Sequence, residues 1–338
     1  METNHHVVAG DARDLPLADG SVELVVTSPP YPMIEMWDET FAGLDPAIGD
    51  ALAEEDGALA YDLMHEILDA AWQDVARVLS PGGIAAINVG DATRTVDGDF
   101  QLYPNHATVL SGLQDAGLTP LPDVLWRKPA NSAAKFMGSG TMPPNAYVTL
   151  EHEYILLARK GGLRRPDSDR RHRSSYFWEE RNRWFSDVWE VRGERQALDA
   201  GPRDRTGAFP FEIPYRLVNM YSVQGDTVLD PFWGTGTTTL AAMASARSSV
   251  GVEVDADLVD GFDPTNADVT RIASDRSRQR LADHRAFVAD RDDPPGYEAT
   301  HYDTRVVTKQ ERDIRLPTIE SVEATDAGWR VSHGTLDG

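Results

Sequence analysis

The segment Asp230-Pro231-Phe232-Trp233-Gly234-Thr235-Gly236-Thr237-Thr238 decides the fold of this chain. It follows a short apolar run, Thr227–Leu229, and precedes a helical pattern over residues 237–246. Its two glycines allow a tight turn and let a ligand approach the backbone closely. A helix that begins at such a turn presents free N–H groups and the positive end of its dipole. The segment therefore predicts a strand, a ligand-binding turn and a helix in an α/β domain.

A second distinctive segment, Thr27-Ser28-Pro29-Pro30-Tyr31, comes much earlier in the chain. It ends the nearly continuous apolar run Val22–Thr27, which is typical of a strand covered on both faces. The two prolines fix a rigid turn and lack N–H groups, so nearby carbonyls stay available as acceptors. In open α/β sheets, ligands bind at the carboxyl ends of such strands.

Together the two segments resemble the motifs of S-adenosylmethionine (AdoMet)-dependent enzymes that methylate exocyclic amino groups of nucleobases. Their order, with the catalytic turn first, resembles the beta-class, circularly permuted amino-methyltransferases of DNA. The resemblance covers roughly residues 7–255. It implies a Rossmann-like α/β fold with a mostly parallel sheet, circularly permuted, plus an inserted target-recognition region. It also implies AdoMet as the cofactor and double-stranded DNA as the partner.

The resemblance assigns the cofactor site residue by residue. Asp230 would lie near the amino group of the methionine moiety, and Glu253, in the predicted strand Ser249–Val254, would bind both ribose hydroxyls. Asp11, after the short strand His6–Ala9, would contact the adenine, although a plain turn aspartate is the alternative. A nucleoside-triphosphate loop is disfavoured because no Gly-Lys-Ser/Thr follows. The remaining cofactor residues are Phe232, Gly234, Thr235, Gly236 and Thr237.

The catalytic turn is assigned in the same way. Hydrogen bonds from the target amine to Ser28 and to the Pro29 carbonyl would stabilise the charge that develops on nitrogen. Pro30 would complete the rigid turn, and Tyr31 would stack on a base extruded from the duplex. Serine at position 28 resembles the N4-cytosine enzymes, whereas aspartate there is more typical of N6-adenine enzymes. We therefore predict N4 of cytosine as the acceptor, with N6 of adenine as the alternative.

Two further segments support the resemblance. Trp126-Arg127-Lys128-Pro129 fits a family Trp-x-Lys segment, which assigns Trp126 and Lys128 to the target base. Gly207-Ala208-Phe209-Pro210 fits a family segment that packs on AdoMet.

The composition suits one large α/β domain with an insertion, because the chain has 338 residues and is 41% hydrophobic. No apolar run approaches the ~20 residues of a membrane span, and the first ten residues lack a signal-peptide pattern. We therefore predict a cytoplasmic protein. The absence of cysteine excludes thiolate metal sites and the cysteine nucleophile used to methylate carbon 5 of cytosine. No metal is predicted.

Charge is distributed unevenly along the chain. The net charge is −23, and the only lysines are Lys128, Lys135, Lys160 and Lys309, a composition that resembles proteins of salt-loving archaea. Residues 159–205 nevertheless hold 13 Arg and Lys against 9 Asp and Glu. Beta-class enzymes carry their target-recognition region here, so we expect DNA contact through Arg170, Arg171 and Arg173. The alternative is a surface segment whose interleaved aromatics serve a small core.

The predicted organisation has four parts. Residues 1–159 form the catalytic half of the methyltransferase domain, residues 160–205 the target-recognition insertion, and residues 206–290 the AdoMet-binding half. Residues 291–338 form an acidic appendage that is either partly disordered or a small β unit. Residues 33–60 are predicted to be an irregular loop that could act as a lid. The other predicted elements are helices over 61–79, 105–116 and 211–221 and strands over 84–89, 124–126 and 151–158.

Three functional hypotheses remain open at this stage. The leading one is a site-specific DNA amino-methyltransferase, either with a cognate restriction endonuclease or as a solitary enzyme. The family in salt-loving archaea often modifies the palindrome CTAG, which makes CTAG the expected site. The rivals are methylation of RNA or of a protein amide, where the cofactor loop usually comes first, and a non-catalytic DNA-binding subunit. The recognition sequence and the oligomeric state do not follow from the chain.

Overall fold

A large β-sheet with helices on both faces forms the body of the protein. The computed structural model describes residues 1–128, 137–192, 209–265 and 267–337. The strands are β1 (Glu2–Ala9), β2 (Val22–Thr27), β3 (Leu79–Val89), β4 (Ala92–Val96), β5 (Asp99–Tyr103), β6 (Leu118–Pro120), β7 (Val124–Arg127), β8 (Met137–Gly138), β9 (Ala146–Tyr147), β10 (His152–Lys160), β11 (Val188–Glu190), β12 (Thr227–Asp230), β13 (Ser248–Glu253), β14 (Tyr297–Glu298), β15 (Arg305–Val306), β16 (Pro317–Thr325) and β17 (Gly328–Thr335).

The helices cover both faces of this sheet. Short 3-10 helices occupy Glu35–Trp37 and Lys309–Glu311. The α-helices are α1 (Asp38–Leu44), α2 (Pro46–Ala53), α3 (Gly57–Val78), α4 (Asn105–Asp115), α5 (Ser168–Arg173), α6 (Trp178–Trp184), α7 (Glu212–Tyr221), α8 (Thr237–Ala244), α9 (Ala256–Asp260) and α10 (Ala267–Ala289). Within the described ranges, no helix is both long and apolar enough to cross a membrane.

The strand order explains how two distant motifs come together. The main sheet runs β11-β7-β10-β3-β2-β12-β13-β1-β17-β16, and β6 pairs with β10. The five central strands, β3 to β1 in this order, are parallel, and antiparallel strands flank them on both sides. Strands β2 and β12 are direct neighbours, with Val228 opposite Leu24. Because parallel strands end at the same edge, the catalytic turn and the cofactor loop emerge side by side.

Side-chain alternation on the central strands builds two core layers. On β2, Val25 packs with Leu68 and Trp72 of α3 on one face, whereas Leu24 and Val26 pack on the other face with α7 and α8. Such strands are buried on both sides, as the continuous apolar run predicted. The predicted α/β architecture with a mostly parallel centre is therefore confirmed.

The prediction of an irregular loop over residues 33–60 was wrong, because the segment is mainly helical. Asp45 caps α2 by accepting a hydrogen bond from the Ala47 amide at 2.9 Å, and Pro46 is the first helical residue. Asp56 caps α3 in the same way. The buried side chains of Phe41 and Ile48 hold the first two helices against the core. Two acidic residues of this segment, Asp45 and Asp56, are therefore helix caps.

The C-terminal segment is part of the main sheet. Strand β17 pairs antiparallel with β1, with Thr3 opposite Val331, and β16 forms the sheet edge. The amino group of Met1 donates to the His333 carbonyl at 2.8 Å. Residues 317–335 therefore form a β hairpin that continues the sheet.

The basic segment is likewise integrated into the fold. Strand β11 pairs with β7 at the opposite edge of the sheet. The rings of Phe177, Trp184 and Trp189 are fully buried, and Glu180 forms an ion pair with Arg280 of α10 at 2.6 Å. These aromatics form core, as the alternative reading of the segment predicted.

Candidate active site

A cavity of about 270 Å³ lies at the carboxyl edge of the central strands. Apolar side chains of α1, α3 and the segment between β2 and α1 form much of its wall, among them Ile34, Trp37, Phe41 and Leu68. The structure brings most of the predicted site residues to this cavity. Those that line it are Asp11, Ser28, Pro29, Pro30, Tyr31, Lys128, Asp230, Phe232, Gly234, Thr235, Thr237 and Glu253.

Asp230 joins the two halves of the site. Its carboxylate accepts a hydrogen bond of 2.6 Å from the Thr27 hydroxyl at the end of β2, and one of 3.2 Å from the Phe232 amide. Burial raises the pKa of Asp230 to about 6, while hydrogen bonds from Thr27 and Thr238 oppose the shift. The carboxylate is therefore a buried acceptor that would gain from a cationic partner.

The cofactor loop is held against the neighbouring strand end. The Gly234 amide donates to Glu253 at 2.7 Å, and the Asp255 amide donates to the other carboxylate oxygen at 3.0 Å. Trp233 anchors the loop, because its indole N–H donates to Thr239 at 2.9 Å and its ring leaves no room for a side chain at Gly251. Glu253 is thus positioned at the cavity by the loop itself.

Gly236 was predicted to contact the cofactor, but the structure gives it a different position in the loop. It caps α8 with φ of 81°, a left-handed conformation, and it does not line the cavity. A Cβ atom there would lie 2.7 Å from the rings of both Trp233 and Phe262. Its contribution is the sharp turn and the close packing behind the loop.

Asp11 stands at the cavity in a fixed orientation. Its carboxylate accepts hydrogen bonds from the Arg13 side chain, the shortest at 2.7 Å, and from the Arg13 amide at 2.9 Å. These bonds hold the pKa of Asp11 below its usual value. The side chain is therefore an ionised acceptor, as a contact with an amino group requires.

The catalytic turn carries a hydrogen-bond network that the motif alone did not reveal. The Tyr31 hydroxyl donates to Glu153 at 3.1 Å and accepts from the Asn88 amide at 2.8 Å. The Ser28 and Tyr31 oxygens are 2.9 Å apart. Asn88 also donates to Glu153 at 2.7 Å, and Lys128 forms an ion pair with the same carboxylate.

The direction of these bonds is determined by Tyr31. A phenol has one proton, and Tyr31 gives it to Glu153. In the contact with Ser28, Tyr31 must therefore accept and Ser28 must donate. The Ser28 oxygen also receives a long contact of 3.4 Å from the Asn88 amide. A hydroxyl oxygen has two lone pairs, so one is left for a donor in the cavity, which suits the N–H of an exocyclic amine.

Asn88 and Glu153 were not among the predicted site residues. Both sit on predicted strands, at the end of β3 and the start of β10, but the direction of β10 was not predicted. Because β10 is antiparallel to β3, with Tyr154 opposite Val89, its first residues lie at the cavity edge. A polar Asn in the apolar run Ile84–Val89 was the available signal.

Trp126 does not line the cavity and belongs to the core of the opposite face. Its indole N–H donates to the Val191 carbonyl at 2.9 Å, and the Lys128 ammonium lies 4.5 Å from its ring. Strand β7 directs this ring into the buried cluster that also contains Trp184 of α6. Trp126 therefore supports Lys128 rather than contacting a ligand in the cavity.

The three arginines assigned to DNA are outside the cavity. Arg170 donates to the Asp226 carboxylate at 2.8 Å and to the Gln224 carbonyl at 3.0 Å, so it anchors α5. Arg173 is half-buried, and Arg171 is exposed. Residues 193–205 of the basic segment, and Gly207 and Ala208 of the segment predicted to pack on AdoMet, lie outside the described residues. Phe209 of the latter segment lines the cavity.

The donor set of the cavity fits AdoMet. Carboxylates of Asp11, Asp230 and Glu253 surround an otherwise apolar pocket, and Arg13 and Lys128 are each paired with a carboxylate of the chain. A ligand with an ammonium, a sulfonium, a ribose diol and a flat apolar ring matches this combination of charge and shape.

Comparison with known proteins shows the family. The model of the N6_N4_Mtase family, described as DNA methylase, matches residues 22–263. The chain belongs to this DNA methylase family. It is 47% identical over 324 residues to the type II methyltransferase M.MthZI of Methanothermobacter thermautotrophicus, covering 94% of this chain and 91% of M.MthZI. It is 50% identical over 272 residues to the type II methyltransferase M.MjaI of Methanocaldococcus jannaschii, covering 76% and 89%.

A solved structure supports the same family. TTHA0409 of Thermus thermophilus, complexed with S-adenosyl-L-methionine, superposes with a TM-score of 0.58 at 30% identity, covering 82% of this chain and 94% of TTHA0409. This DNA methylase is therefore an AdoMet-dependent amino-methyltransferase that acts on DNA.

Proposed function

We propose that this DNA methylase transfers a methyl group to N4 of cytosine in duplex DNA, at a specific site and after the base is extruded. The observation that carries the proposal is Ser28, which lines the cavity together with the cofactor loop and keeps a lone pair for a donor there. A hydroxyl at this position is neutral and small, in keeping with the serine of N4-cytosine enzymes. On the order of its motifs we assign the chain to the beta class, with a circularly permuted domain.

The chain's own residues would hold the target amine. The N–H groups of this amine would donate to the Ser28 oxygen and to the Pro29 carbonyl. These two acceptors draw the nitrogen lone pair out of conjugation and stabilise the positive charge that develops on nitrogen. Tyr31, pinned by Ser28, Asn88 and Glu153, offers a rigid ring against which an extruded base can stack.

The cofactor residues complete the arrangement. When bound, AdoMet supplies the methyl group from a sulfonium centre. Asp230 would bind the methionine ammonium, Glu253 the ribose hydroxyls and Asp11 the adenine amine. The apolar wall from Trp37 to Leu68 excludes water and places the two reactants in one small space, which supplies much of the rate.

DNA contact is proposed for the exposed face of the basic segment. Arg171, Arg181 and Arg183 are exposed on α5 and α6, where they can reach phosphates or guanine edges. We propose CTAG as the first site to test and a salt-rich cell as the origin, on the resemblance and composition described above. The type II relatives further support a restriction–modification setting with a cognate endonuclease.

The test is a methyl-transfer assay in molar potassium chloride, with AdoMet carrying an isotope-labelled methyl group and unmethylated duplex DNA. Nucleoside mass spectrometry should find labelled N4-methylcytosine, and mapping should then locate the site. Labelled N6-methyladenine would show that the target base is adenine and not cytosine. Label in RNA or protein but not in DNA would overturn it.

Ser28→Ala should abolish transfer in this assay, because the amine then loses an acceptor, while AdoMet affinity measured by calorimetry stays unchanged. Tyr31→Ala should act in the same way. Ser321→Ala on the remote strand β16 is the matched control and should keep full activity. Activity that survived both cavity substitutions would contradict the assignment of the catalytic turn.

A further inference from the structure

We propose that Glu153 is the terminal proton acceptor of the reaction, reached from the target amine through the hydroxyls of Ser28 and Tyr31. The inference rests on the proposed function only in requiring an exocyclic amine as the acceptor. It assigns a role to a carboxylate that lies outside the recognised motif and reaches the cavity from the antiparallel strand β10.

The reaction requires a proton acceptor. When the amino nitrogen forms its bond to the methyl carbon, the methyl–sulfur bond breaks and its electron pair stays on sulfur. The nitrogen then carries a positive charge and must release one N–H proton. Because the cavity is largely apolar, a released proton needs a defined route out of it.

The structure contains such a route, with each bond in the required direction. The amine would donate to Ser28, Ser28 donates to Tyr31 across 2.9 Å, and Tyr31 donates to Glu153 across 3.1 Å. A shift of one proton along each bond moves the charge from the substrate to the carboxylate. Both hydroxyls regain a proton, so they end the step as they began it.

The residues around this hydrogen-bond relay keep the phenol that passes the proton distinct from the carboxylate that accepts it. Burial and the neighbouring Glu153 carboxylate raise the pKa of Tyr31 well above its usual value, so the phenol relays a proton without itself becoming the base. The Asn88 amide donates to both Tyr31 and Glu153, which fixes their separation.

Lys128 provides the connection to solvent. Its ammonium pairs with the second oxygen of Glu153, and its side chain is 43% exposed, compared with 12% for Glu153. A proton on Glu153 can therefore leave at the side of the carboxylate that faces water, rather than back through the substrate cavity.

The test compares Glu153→Gln, Glu153→Asp and Glu153→Ala with Glu151→Gln, a control two residues earlier that is exposed and outside the cavity. The single-turnover rate should fall by about 100-fold or more in Glu153→Gln, which is typical of losing a general base. Glu153→Asp should keep part of the rate, and added formate should restore part of it to Glu153→Ala. Glu151→Gln should react like the wild type.

Two readouts separate proton transfer from folding. AdoMet binding by calorimetry and base extrusion, followed with a fluorescent base analogue beside the target, should be unchanged in Glu153→Gln. A wild-type rate in Glu153→Gln would overturn the proposal. A slow Glu153→Gln variant that has also lost AdoMet binding or base extrusion would overturn it too. The same holds if neither Glu153→Asp nor formate added to Glu153→Ala restores any of the rate.

Failure of the proposed function has a different signature. With the wild-type protein, the DNA would stay unmethylated, or the label would appear on another class of molecule. If the wild type produces N6-methyladenine, the same four variants test Glu153 on that amine.

Discussion

Asp230 shows at the residue scale how burial prepares a ligand site. The carboxylate is 3% exposed and accepts hydrogen bonds from the Thr27 hydroxyl and the Phe232 amide. Burial destabilises the ionised carboxylate by more than these hydrogen bonds stabilise it, so its pKa rises to about 6. An ammonium group placed beside it would compensate that cost.

AdoMet affinity should therefore depend on pH through Asp230. Above pH 6 the carboxylate is ionised and pairs with the ammonium, whereas below pH 6 it is protonated and the pairing is lost. We expect the dissociation constant to rise about tenfold between pH 7 and pH 5. Calorimetric titrations across this range measure it. Asp230→Asn should bind weakly and with little pH dependence, and an equally steep profile in that variant would contradict the assignment.

Gly236 is the second residue whose role can be tested directly. Its φ of 81° and the 2.7 Å separation that a Cβ atom would have from Trp233 and Phe262 leave no room for a side chain. Gly236→Ala should destabilise the protein by about 1–3 kcal/mol. Gly43→Ala in α1, where a Cβ meets nothing within 4 Å, should be neutral or stabilising by about 1 kcal/mol. Denaturant unfolding of the two variants gives the comparison.

At the scale of elements, the junction of β1 with β17 contains a buried histidine pair. The Thr3 hydroxyl lies 2.8 Å from the imidazoles of both His5 and His333, and the other nitrogen of His5 lies 2.8 Å from Ser249. Burial lowers the pKa of His5 to about 3 and that of His333 to about 4. The C-terminal hairpin is therefore attached to the sheet through neutral imidazoles.

Stability should fall with acidity through this junction. In the unfolded chain each histidine binds a proton below about pH 6.5, but in the folded protein both resist protonation until about pH 4. The unfolded state thus binds more protons, and stability is fully present above pH 6.5 and is lost as the pH falls. Each histidine should cost about 2 kcal/mol between pH 7 and pH 5.

Denaturant unfolding at pH 7 and pH 5 measures this loss. His333→Gln should show a smaller loss than the wild type, because one of the two buried imidazoles is gone. His172→Gln, which alters a histidine with solvent access on α5, is the control and should keep the wild-type loss. Equal losses in all three proteins would show that the junction does not govern acid stability.

At the scale of the whole molecule, a net charge of −23 must be reconciled with a polyanionic partner. The basic segment reverses the sign locally, but the structure divides its arginines by role. Arg164 and Arg170 both pair with Asp226, whose side chain is 1% exposed, and so hold the fold together. Arg171, Arg181 and Arg183 are exposed. DNA contact should depend on this second group.

The adjacent arginines 170 and 171 provide a matched test. Arg171→Ala should leave stability unchanged and weaken DNA binding, reducing the slope of log affinity against log salt by about 1. Arg170→Ala should instead destabilise the protein by about 1–3 kcal/mol, because the buried Asp226 loses one of its two arginine partners. Fluorescence anisotropy with duplex DNA at several salt concentrations, with thermal unfolding in parallel, distinguishes the two effects. A salt slope unchanged in Arg171→Ala would exclude it from the DNA interface.

Local patterns in the sequence were enough to predict the strands and the helix that carry the catalytic turn and the cofactor loop. The run Val22–Thr27 is a strand with the predicted bounds, and the glycine turn before Thr237 begins a helix as predicted. Such elements are encoded by periodicity and by glycine and proline, which act over a few residues. The helices over residues 33–60 were missed because their caps, Asp45 and Asp56, lie among other acidic residues that do not cap.

What the sequence by itself determined is the pair of motifs, their order, the family and the class of chemistry, because a rigid turn and a glycine loop need few residues in a fixed spacing. Only the tertiary structure decided which other groups join them. Asn88 and Glu153 reach Tyr31 because β10 runs antiparallel to β3. Trp126 packs in the core and Arg170 forms an ion pair with Asp226, so neither side chain lies in the cavity. These outcomes depend on strand direction and on contacts between distant residues, which no local spacing encodes.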